Sequence, residues 1–246
     1  MPHSIKVHKN ILQAAKESTS LLVVFDLDST LFDVSPRSQK ILQDCSQDSE
    51  FQALFPEEWP LLHKVQVRPT DWGIRESLLR SPIKAHLSFF EHVQKFWKKH
   101  FFSDTYLHLD RPYPGAVPFV QSIYNAGAHI IYLTGRYQTR MMHGTVQSLK
   151  KHGFPLEENM ENLIMKPSES EKDETYKVEV LKTLEKQYSR IWFFENEPVI
   201  IQHTLRQCPS INIVFMDTVH SGRTTPPENL LRIQKQFRLH STDNEF

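Results

Sequence analysis

The chain has 246 residues, of which 39% are hydrophobic, so it can fold around one large core that carries an insert. Lysine plus arginine and aspartate plus glutamate number 29 each, a balance that does not favour nucleic acid or anionic membranes as partners. No apolar stretch approaches the ~20 residues that span a bilayer. The first ten residues lack the apolar core of a signal peptide, and Cys45 and Cys208 make no disulfide framework. We therefore expect an intracellular, cytoplasmic protein.

The first predicted elements are an amphipathic helix over residues 5–18 and a buried strand over residues 21–25. The strand reads LLVVF, and it is followed by two carboxylates, Asp26 and Asp28. The i, i+2 spacing puts both acids on one face of an extended chain. Ligands bind at the carboxyl ends of such strands, and a divalent cation would relieve the repulsion between the two acids.

A helical insert is predicted next, because no strand pattern occurs from Pro36 to about Leu107. The apolar residues recur at helical spacing, most clearly at Ile83, Leu87, Phe90, Trp97 and Phe101. We therefore assign residues 35–107 to the insert. Residues 1–34 and 108–246 form the predicted core domain.

After the insert, helical and strand patterns alternate. Helices are predicted near residues 116–126, 139–151 and 175–187, with one more helix before the last strand. Strands are predicted from His129 to Thr134 and Gly135, and over residues 162–165, 190–194 and 211–217, of which the last closes the sheet. This alternation predicts an α/β fold with a doubly wound parallel sheet, and the tail after Leu239 is predicted to be disordered.

Polar residues follow four of the predicted strands, and the carboxyl ends of parallel strands meet at one edge of a sheet. Carboxylates, a hydroxyl and ammonium groups suit a metal-bound phosphate, and Mg²⁺ prefers such oxygen ligands to a His/Cys cluster. The candidates in chain order are Asp26 and Asp28, then Thr134, Gly135 and Arg136, then Lys166 and Lys177, and finally Glu195 and Asn196.

The motifs DLDST and LTGR, a downstream lysine and an acidic strand end, in that order, resemble the haloacid dehalogenase superfamily of phosphohydrolases. The resemblance covers Leu21 to about Asp217, apart from the insert, which is similar to the superfamily's mobile cap of the first type. It implies that Asp26 is the nucleophile that forms an aspartyl-phosphate. Asp28 would be the general acid and then the general base.

The resemblance also implies a phosphate site and a metal site. Thr134 and a lysine would bind the phosphoryl group, with Gly135 and Arg136 beside them in LTGR. Mg²⁺ would be held by the Asp26 carboxylate, the Asp28 carbonyl and the fourth strand end. Because an alkoxide needs a proton to leave and a halide does not, Asp28 favours phosphoester chemistry over dehalogenation.

Two departures from the family pattern leave alternatives open. Ser29 stands where glycine is common, and Glu195 with Asn196 stands where two aspartates are usual, so the metal ligand is Glu195, Asn196 or Glu197. The phosphate lysine is Lys177, which has the better spacing, or Lys166.

Each candidate also has a purely structural interpretation. Asp26 and Asp28 could belong to a solvated turn, Thr134 could be a strand-end hydroxyl, and Lys177 could be a solvated helix residue paired with Asp173. Arg136 and Arg37 could be surface charges. The aromatic residues Phe89, Phe90, Phe96 and Trp97 are typical of a core. The thirteen histidines show no metal-binding spacing.

These patterns predict a Mg²⁺-dependent phosphatase of small phosphorylated metabolites that binds neither nucleic acid nor a membrane. The alternatives are a phosphotransferase or mutase of the same superfamily, a polynucleotide 3′-phosphatase, which a local similarity around LIMKPSESEKDETYKVEVL favours, and a phosphate-binding scaffold without activity. The sequence specifies neither the substrate nor the oligomeric state.

Overall fold

A computed structural model describes residues 3–18 and 20–239 of the chain. The predicted disordered tail lies outside these residues. The fold divides into two compact units, here called the sheet unit and the helical unit. The sheet unit comprises Met1–Phe32, Pro112–Thr139 and Leu149–Phe246, and the helical unit comprises Asp33–Arg111 and Arg140–Ser148. The helical unit thus contains the predicted insert, residues 35–107, and a second segment that sequence reasoning had placed in the core.

The sheet unit is built on a six-stranded sheet in the order β5-β4-β1-β6-β7-β8, in which every neighbouring pair is parallel. The strands are β1 (Leu21–Phe25), β4 (His129–Tyr137), β5 (Leu163–Lys166), β6 (Arg190–Glu195), β7 (Asn212–Met216) and β8 (Leu231–Ile233). Two short strands, β2 (Phe32–Asp33) and β3 (Arg111–Pro112), form a separate ladder. The predicted doubly wound α/β fold is confirmed.

β1 lies at the centre of the sheet because all five of its residues are apolar and buried on both faces. The chain runs outward from β1 to β4 and β5 on one side, and then returns to build β6, β7 and β8 on the other. The strand order therefore reverses between β1 and β6. In doubly wound sheets the ligand crevice lies outside the carboxyl ends of the strands at such a point.

Five helices accompany the sheet: α1 (His3–Glu17), α7 (Ala116–Asn125), α8 (Gln138–His152), α9 (Asp173–Leu184) and α10 (Pro198–Gln207). The apolar core beneath α9 and α10 joins strand residues such as Val24 and Phe193 to Val178 and Ile201 of the two helices. The first four helices agree with the predicted positions to within two or three residues, and α10 is the helix predicted, without bounds, before the last strand. The described part of the chain contains no helix long and apolar enough to cross a membrane.

The prediction that the strand over residues 211–217 closes the sheet is wrong. Leu231–Ile233 form a sixth strand that pairs in parallel with β7, with Met216 opposite Ile233. A three-residue strand is too short to show a period in the sequence. The positions of its neighbours in the fold, which a sequence pattern does not contain, decide whether such a segment becomes a strand.

The helical unit consists of α2 (Ser35–Gln47), α3 (Ser49–Leu54), α4 (Trp59–Leu62), α5 (Arg75–Leu79), α6 (Leu87–Phe101) and a 3₁₀ helix (Asp104–Leu109). Phe89 and Val93 of α6 are fully buried, and Phe90, Phe96 and Trp97 pack against the same core. The core interpretation of these aromatic residues is therefore confirmed. The predicted inner face of α6 is only partly right, because Leu87 is 72% exposed at the first position of the helix.

The interpretation of Arg37 as a surface residue is wrong. Its side chain is completely buried, and its Nε lies 3.0 Å from Oδ1 of the equally buried Asp110. The guanidinium also donates to the Phe101 carbonyl and lies over the Phe101 ring. Because Asp110 and Phe101 follow far along the chain, the local sequence around Arg37 carried no sign of this pairing.

Candidate active site

The candidate site is centred on the ammonium of Lys177, which joins two carboxylates. Asp26 follows β1 and Glu195 ends β6, the two strands between which the strand order reverses. Lys177, in the second turn of α9, donates to Asp26 Oδ1 at 2.6 Å and to Glu195 Oε2 at 2.7 Å. All three residues are at least 95% buried. The alternative that Lys177 is a solvated helix residue is therefore wrong.

The three groups do not balance in charge. Two carboxylates and one ammonium sum to a formal charge of −1 inside a buried cluster. Burial raises the pKa of Asp26 against the opposing effect of Lys177, and burial likewise raises the pKa of Glu195 to about 7. The two carboxylates raise the pKa of Lys177 in turn, against the effect of burial. Ionised carboxylates here favour further positive charge.

Asp28 is held by Arg136. The guanidinium Nε and one terminal nitrogen donate to Asp28 Oδ1 at 3.0 and 2.5 Å. Arg136 is 2% exposed, so its interpretation as a surface charge is wrong, whereas the Asp28 side chain remains 26% exposed. Asp28 is thus the more accessible of the two motif acids, and a buried guanidinium fixes its orientation.

Thr134 and Gly135 lie where β4 changes register against β5, between Thr134 and Tyr137. The Thr134 hydroxyl is buried and accepts a hydrogen bond from the Arg136 amide at 3.3 Å. A Cβ at Gly135 would come within 2.6 Å of the Asp173 carboxylate, so a larger residue here would have to displace that partly exposed side chain. The glycine of LTGR thus leaves room for Asp173.

Lys166 and Lys177 occupy different places. The Lys166 ammonium binds the Asp173 carboxylate and, at 3.0 Å, the Glu171 carbonyl. Asp173 is therefore the partner of Lys166, and Lys177 is the lysine that contacts Asp26.

Glu195 and Glu197 also differ in what they bind. Oε1 of Glu195 accepts from the amides of Asn196 and Glu197, both at 2.9 Å, which folds the side chain back toward the sheet edge. The Glu197 carboxylate caps α10 through the Val199 amide and binds the hydroxyl and the amide of Ser221. Of the two acids, only Glu195 shares a partner with Asp26.

Thr30 and Thr218, which the sequence analysis did not single out, also lie at this edge of the sheet. The Thr30 hydroxyl donates to Asn196 Oδ1 at 3.1 Å, and the Asn196 amide nitrogen donates to the Val219 carbonyl. Thr218 donates to the Ser29 carbonyl at 2.5 Å. Thr30 is the threonine of DLDST and was recognisable from the motif, whereas Thr218 lies in a loop without any pattern.

Ser29 has a φ of 62°, in the left-handed region that favours glycine. Its amide donates to the Phe32 carbonyl, and its carbonyl accepts from Thr218. This backbone conformation gives a physical reason why glycine is common at the position, and why a small serine is tolerated.

The donor set fits a hard divalent cation. Within the described residues no group of three or more His, Cys, Asp or Glu side chains could hold a metal. A cation here would therefore rely on two carboxylates, Asp26 and Glu195, with the Asp28 carbonyl, the Asn196 amide oxygen and water. Mg²⁺ binds in this way, through one or two carboxylates and several waters. The excess negative charge of the cluster favours it further.

Comparison with known proteins gives the same fold and a similarity to one family over part of the chain. The model of the HAD superfamily, subfamily IIIB (acid phosphatase), matches residues 80–195, a stretch that contains LTGR and Lys177 and ends at Glu195. No curated protein matches the chain.

Solved structures share the fold at low identity. A putative phosphatase from Clostridium difficile is 13% identical, with 80% of this chain and 84% of that chain covered and a TM-score of 0.51. Protein tyrosine kinase A from Mycobacterium tuberculosis is 14% identical, with 87% and 93% covered and a TM-score of 0.54.

The chain is thus similar in fold to these structures, and over just under half of its length it is similar to the acid phosphatase subfamily of the HAD superfamily.

Proposed function

We propose that the protein is a Mg²⁺-dependent phosphatase that hydrolyses a small phosphorylated metabolite through an aspartyl-phosphate on Asp26. The observation that carries this proposal is the Lys177 ammonium between the Asp26 and Glu195 carboxylates, at the edge where ligands bind in such sheets. The arrangement supplies a nucleophile, a cation for phosphoryl oxygens and an acid for a metal.

In the first step an Asp26 oxygen attacks phosphorus while the bond to the leaving oxygen breaks. Asp28 gives its proton to that oxygen, which leaves as an alcohol. In the second step a water gives a proton back to Asp28 and attacks the same phosphorus, which releases inorganic phosphate and restores the Asp26 carboxylate. Arg136 keeps Asp28 oriented through both steps.

Lys177 and Thr134 bind the phosphoryl oxygens in this proposal, with Gly135 leaving room beside them. Bound Mg²⁺, held by Asp26, Glu195, the Asp28 carbonyl and Asn196, would supply positive charge to the phosphoryl group. We assign Lys166 a supporting role, because its ammonium is already bound to Asp173. Residues 35–107 form the proposed cap, which excludes water and selects the substrate.

We further propose a small-molecule substrate and a cytoplasmic location. The balanced charge of the chain supports a partner other than nucleic acid. Cys45 and Cys208 are both buried free thiols, which supports a reducing compartment.

A screen of phosphorylated metabolites for phosphate release, with Mg²⁺ and with a chelator, tests the proposal, with Asp26→Asn as the blank. We expect Mg²⁺-dependent release from at least one small phosphate ester, with weak dependence on salt. Oligonucleotide 3′-phosphates belong in the same screen. Preferential hydrolysis of these oligonucleotides, with steep inhibition by salt, would mean that the substrate is a polynucleotide and not a small metabolite. Absence of release from every ester would contradict the phosphatase.

A further inference from the structure

Lys166 is a buried lysine to which the proposed reaction assigns no contact with the substrate. It ends β5, is 4% exposed, and its ammonium lies 4.8 Å from the centre of the Tyr137 ring at the end of the neighbouring β4. Burying an ammonium costs stability unless it is paired, and an apolar residue in its place is often no worse for the fold. The position of Lys166 therefore calls for a reason other than stability.

Both polar partners of Lys166 lie where α9 begins. The ammonium binds the Glu171 carbonyl at 3.0 Å and the carboxylate of Asp173, the first residue of α9. The residue before the helix, Lys172, makes no side-chain capping hydrogen bond. The Asp173 carboxylate, which in the first turn favours the helix dipole, also reaches a neighbouring strand. Lys166 thus fixes the start of α9 to the end of β5.

Asp173 also lies against β4. Its carboxylate comes so close to Gly135 that a Cβ added there would lie 2.6 Å from Asp173 Oδ2. Gly135 belongs to the segment between Thr134 and Tyr137 in which β4 changes register against β5. The Lys166–Asp173 pair therefore joins the first turn of α9 to the ends of two strands.

Lys177 lies four residues after Asp173, so the two residues are one turn apart on the same side of α9. The Lys177 ammonium donates to Asp26 and Glu195 at 2.6 and 2.7 Å from the end of a flexible four-carbon chain. The position of that charge depends on where the backbone of α9 lies. The Lys166–Asp173 pair fixes this backbone one turn before Lys177.

We propose that Lys166 is a positioning residue, which acts through Asp173 to hold the Lys177 ammonium where the phosphoryl group binds. Lys166 itself touches neither the substrate nor the metal. Without it, the first turn of α9 would remain helical and shift, and a shift of about 1 Å can lower a rate about 10²-fold. The inference rests on the proposed function, because that proposal assigns phosphoryl oxygens to Lys177.

Calorimetric titration of the whole protein with inorganic phosphate, in the presence of Mg²⁺, tests the inference without turnover. Lys177→Met should weaken phosphate binding about 10–10²-fold, the effect of losing a hydrogen bond to a charged group. Lys166→Met should weaken it about tenfold, the lower range for loss of a group that orients a ligand. In the Lys177→Met background, Lys166→Met should have less than a twofold further effect, because the group that it positions is gone. An equal effect in both backgrounds would overturn the inference.

Three further variants separate positioning from folding. Lys166→Arg keeps a positive charge beside Asp173 and should bind phosphate within about threefold of the original. Lys166→Met/Asp173→Asn leaves no unpaired charge, so it should melt near the original temperature and still bind phosphate about tenfold more weakly. Lys182→Met is the matched control, because it breaks the exposed pair with Glu179 on the same helix, and it should change binding less than twofold. Normal phosphate binding in the double variant would overturn the inference.

The Lys177 variant distinguishes failure of this inference from failure of the proposed function. Weakened phosphate binding in Lys177→Met together with normal binding in Lys166→Met would overturn the positioning role and leave the proposed function intact. Normal binding in Lys177→Met would overturn both, because Lys177 would then not hold the phosphate.

Discussion

Each unit contains one buried cluster of charged side chains, and the two clusters differ in their net charge. In the helical unit Arg37 faces Asp110, one positive against one negative charge, both side chains completely buried. In the sheet unit Lys177 faces both Asp26 and Glu195, so the buried cluster keeps a formal charge of −1. In a balanced pair the two charges neutralise each other. An unbalanced cluster gains stability when it takes up a proton or binds a further cation, and the second is what a binding site provides.

The first test of this comparison is whether Asp26 is essential for turnover. Asp26→Asn should lower kcat by at least about 10³-fold, because an amide does not attack phosphorus at a useful rate. The melting temperature should stay the same or rise, since the substitution removes one of the two acids from a cluster with excess negative charge. Both are measured on the purified variant, by phosphate release and by thermal unfolding.

Asp217→Asn is the matched control for this variant. Asp217 follows β7 at the same edge of the sheet and pairs only loosely with Arg232, at 3.6 Å. We expect nearly normal turnover. Substantial activity in Asp26→Asn at unchanged stability would show that Asp26 is not the nucleophile.

Substitution in the Arg37–Asp110 pair should instead lower the stability of the fold. Arg37→Met should lower the free energy of unfolding by about 3–5 kcal/mol, because it removes the guanidinium that pairs with the buried Asp110 carboxylate. Lys40→Met on the same helix removes an exposed charge paired with Asp44 and should cost less than about 1 kcal/mol. Denaturant unfolding measures both.

Adding Asp110→Leu to Arg37→Met should recover most of the lost stability, since an apolar pair can replace a buried ion pair. A loss no larger than that of Lys40→Met would mean that the Arg37 pair contributes nothing of its own.

A third test separates the two acids of DLDST. Asp28→Asn should lower kcat for alkyl phosphates by about 10²–10⁴-fold, because the alkoxide leaves without a proton. An aryl phosphate needs little proton help, so its loss should be at least tenfold smaller. Equal losses for both esters would contradict the general acid and leave Asp28 as a partner of Arg136 alone.

The sequence predicted those features that rest on local patterns. The buried run before Asp26, the alternating helices and strands and the order of the motifs were enough for the fold and for the residues that meet at the sheet edge. The choice between Lys166 and Lys177 was different. The spacing favoured Lys177 but left Lys166 open, and the position of α9 over the sheet decides which ammonium reaches Asp26.

The features missed by sequence reasoning depend on distant partners. Arg37 is buried because Asp110 and Phe101 meet it, and β8 forms because β7 offers an edge. The strain at Ser29 depends on a φ that no spacing rule contains. The return of residues 140–148 to the helical unit is likewise a property of packing, because a single helix pattern continues across the boundary.

A smaller effect, on the Mg²⁺ requirement, is expected from substitution of Glu195, the acid that ends β6. Glu195→Gln should raise the Mg²⁺ concentration for half-maximal activity about tenfold, the lower range for loss of a group that supports a metal. KM at saturating Mg²⁺ should change little. Glu197→Gln should change the Mg²⁺ requirement less than twofold, because that carboxylate is bound to Ser221 and to the start of α10. The reverse ranking would move the ligand to Glu197.

The smallest expected effect concerns backbone strain. Ser29, in the sheet unit, has a φ of 62°, and no non-glycine residue of the helical unit has a positive φ within the described residues. Left-handed backbone costs an L-residue about 1–2 kcal/mol, whereas the freedom that glycine adds to the unfolded chain costs about 0.4–1 kcal/mol. Ser29→Gly should therefore raise the free energy of unfolding by roughly 0.5 kcal/mol.

Turnover should stay within about twofold of the original in Ser29→Gly, because main-chain bonds to Phe32 and from Thr218 hold the loop, and the serine hydroxyl takes no part in them. Met160→Gly is the matched control, since Met160 has a φ of 60° in an exposed turn outside the site. A similar gain there, without any effect on activity, would identify strain relief as the common cause. A loss of stability in Ser29→Gly alone would mean that the serine side chain itself stabilises the loop that carries Asp28.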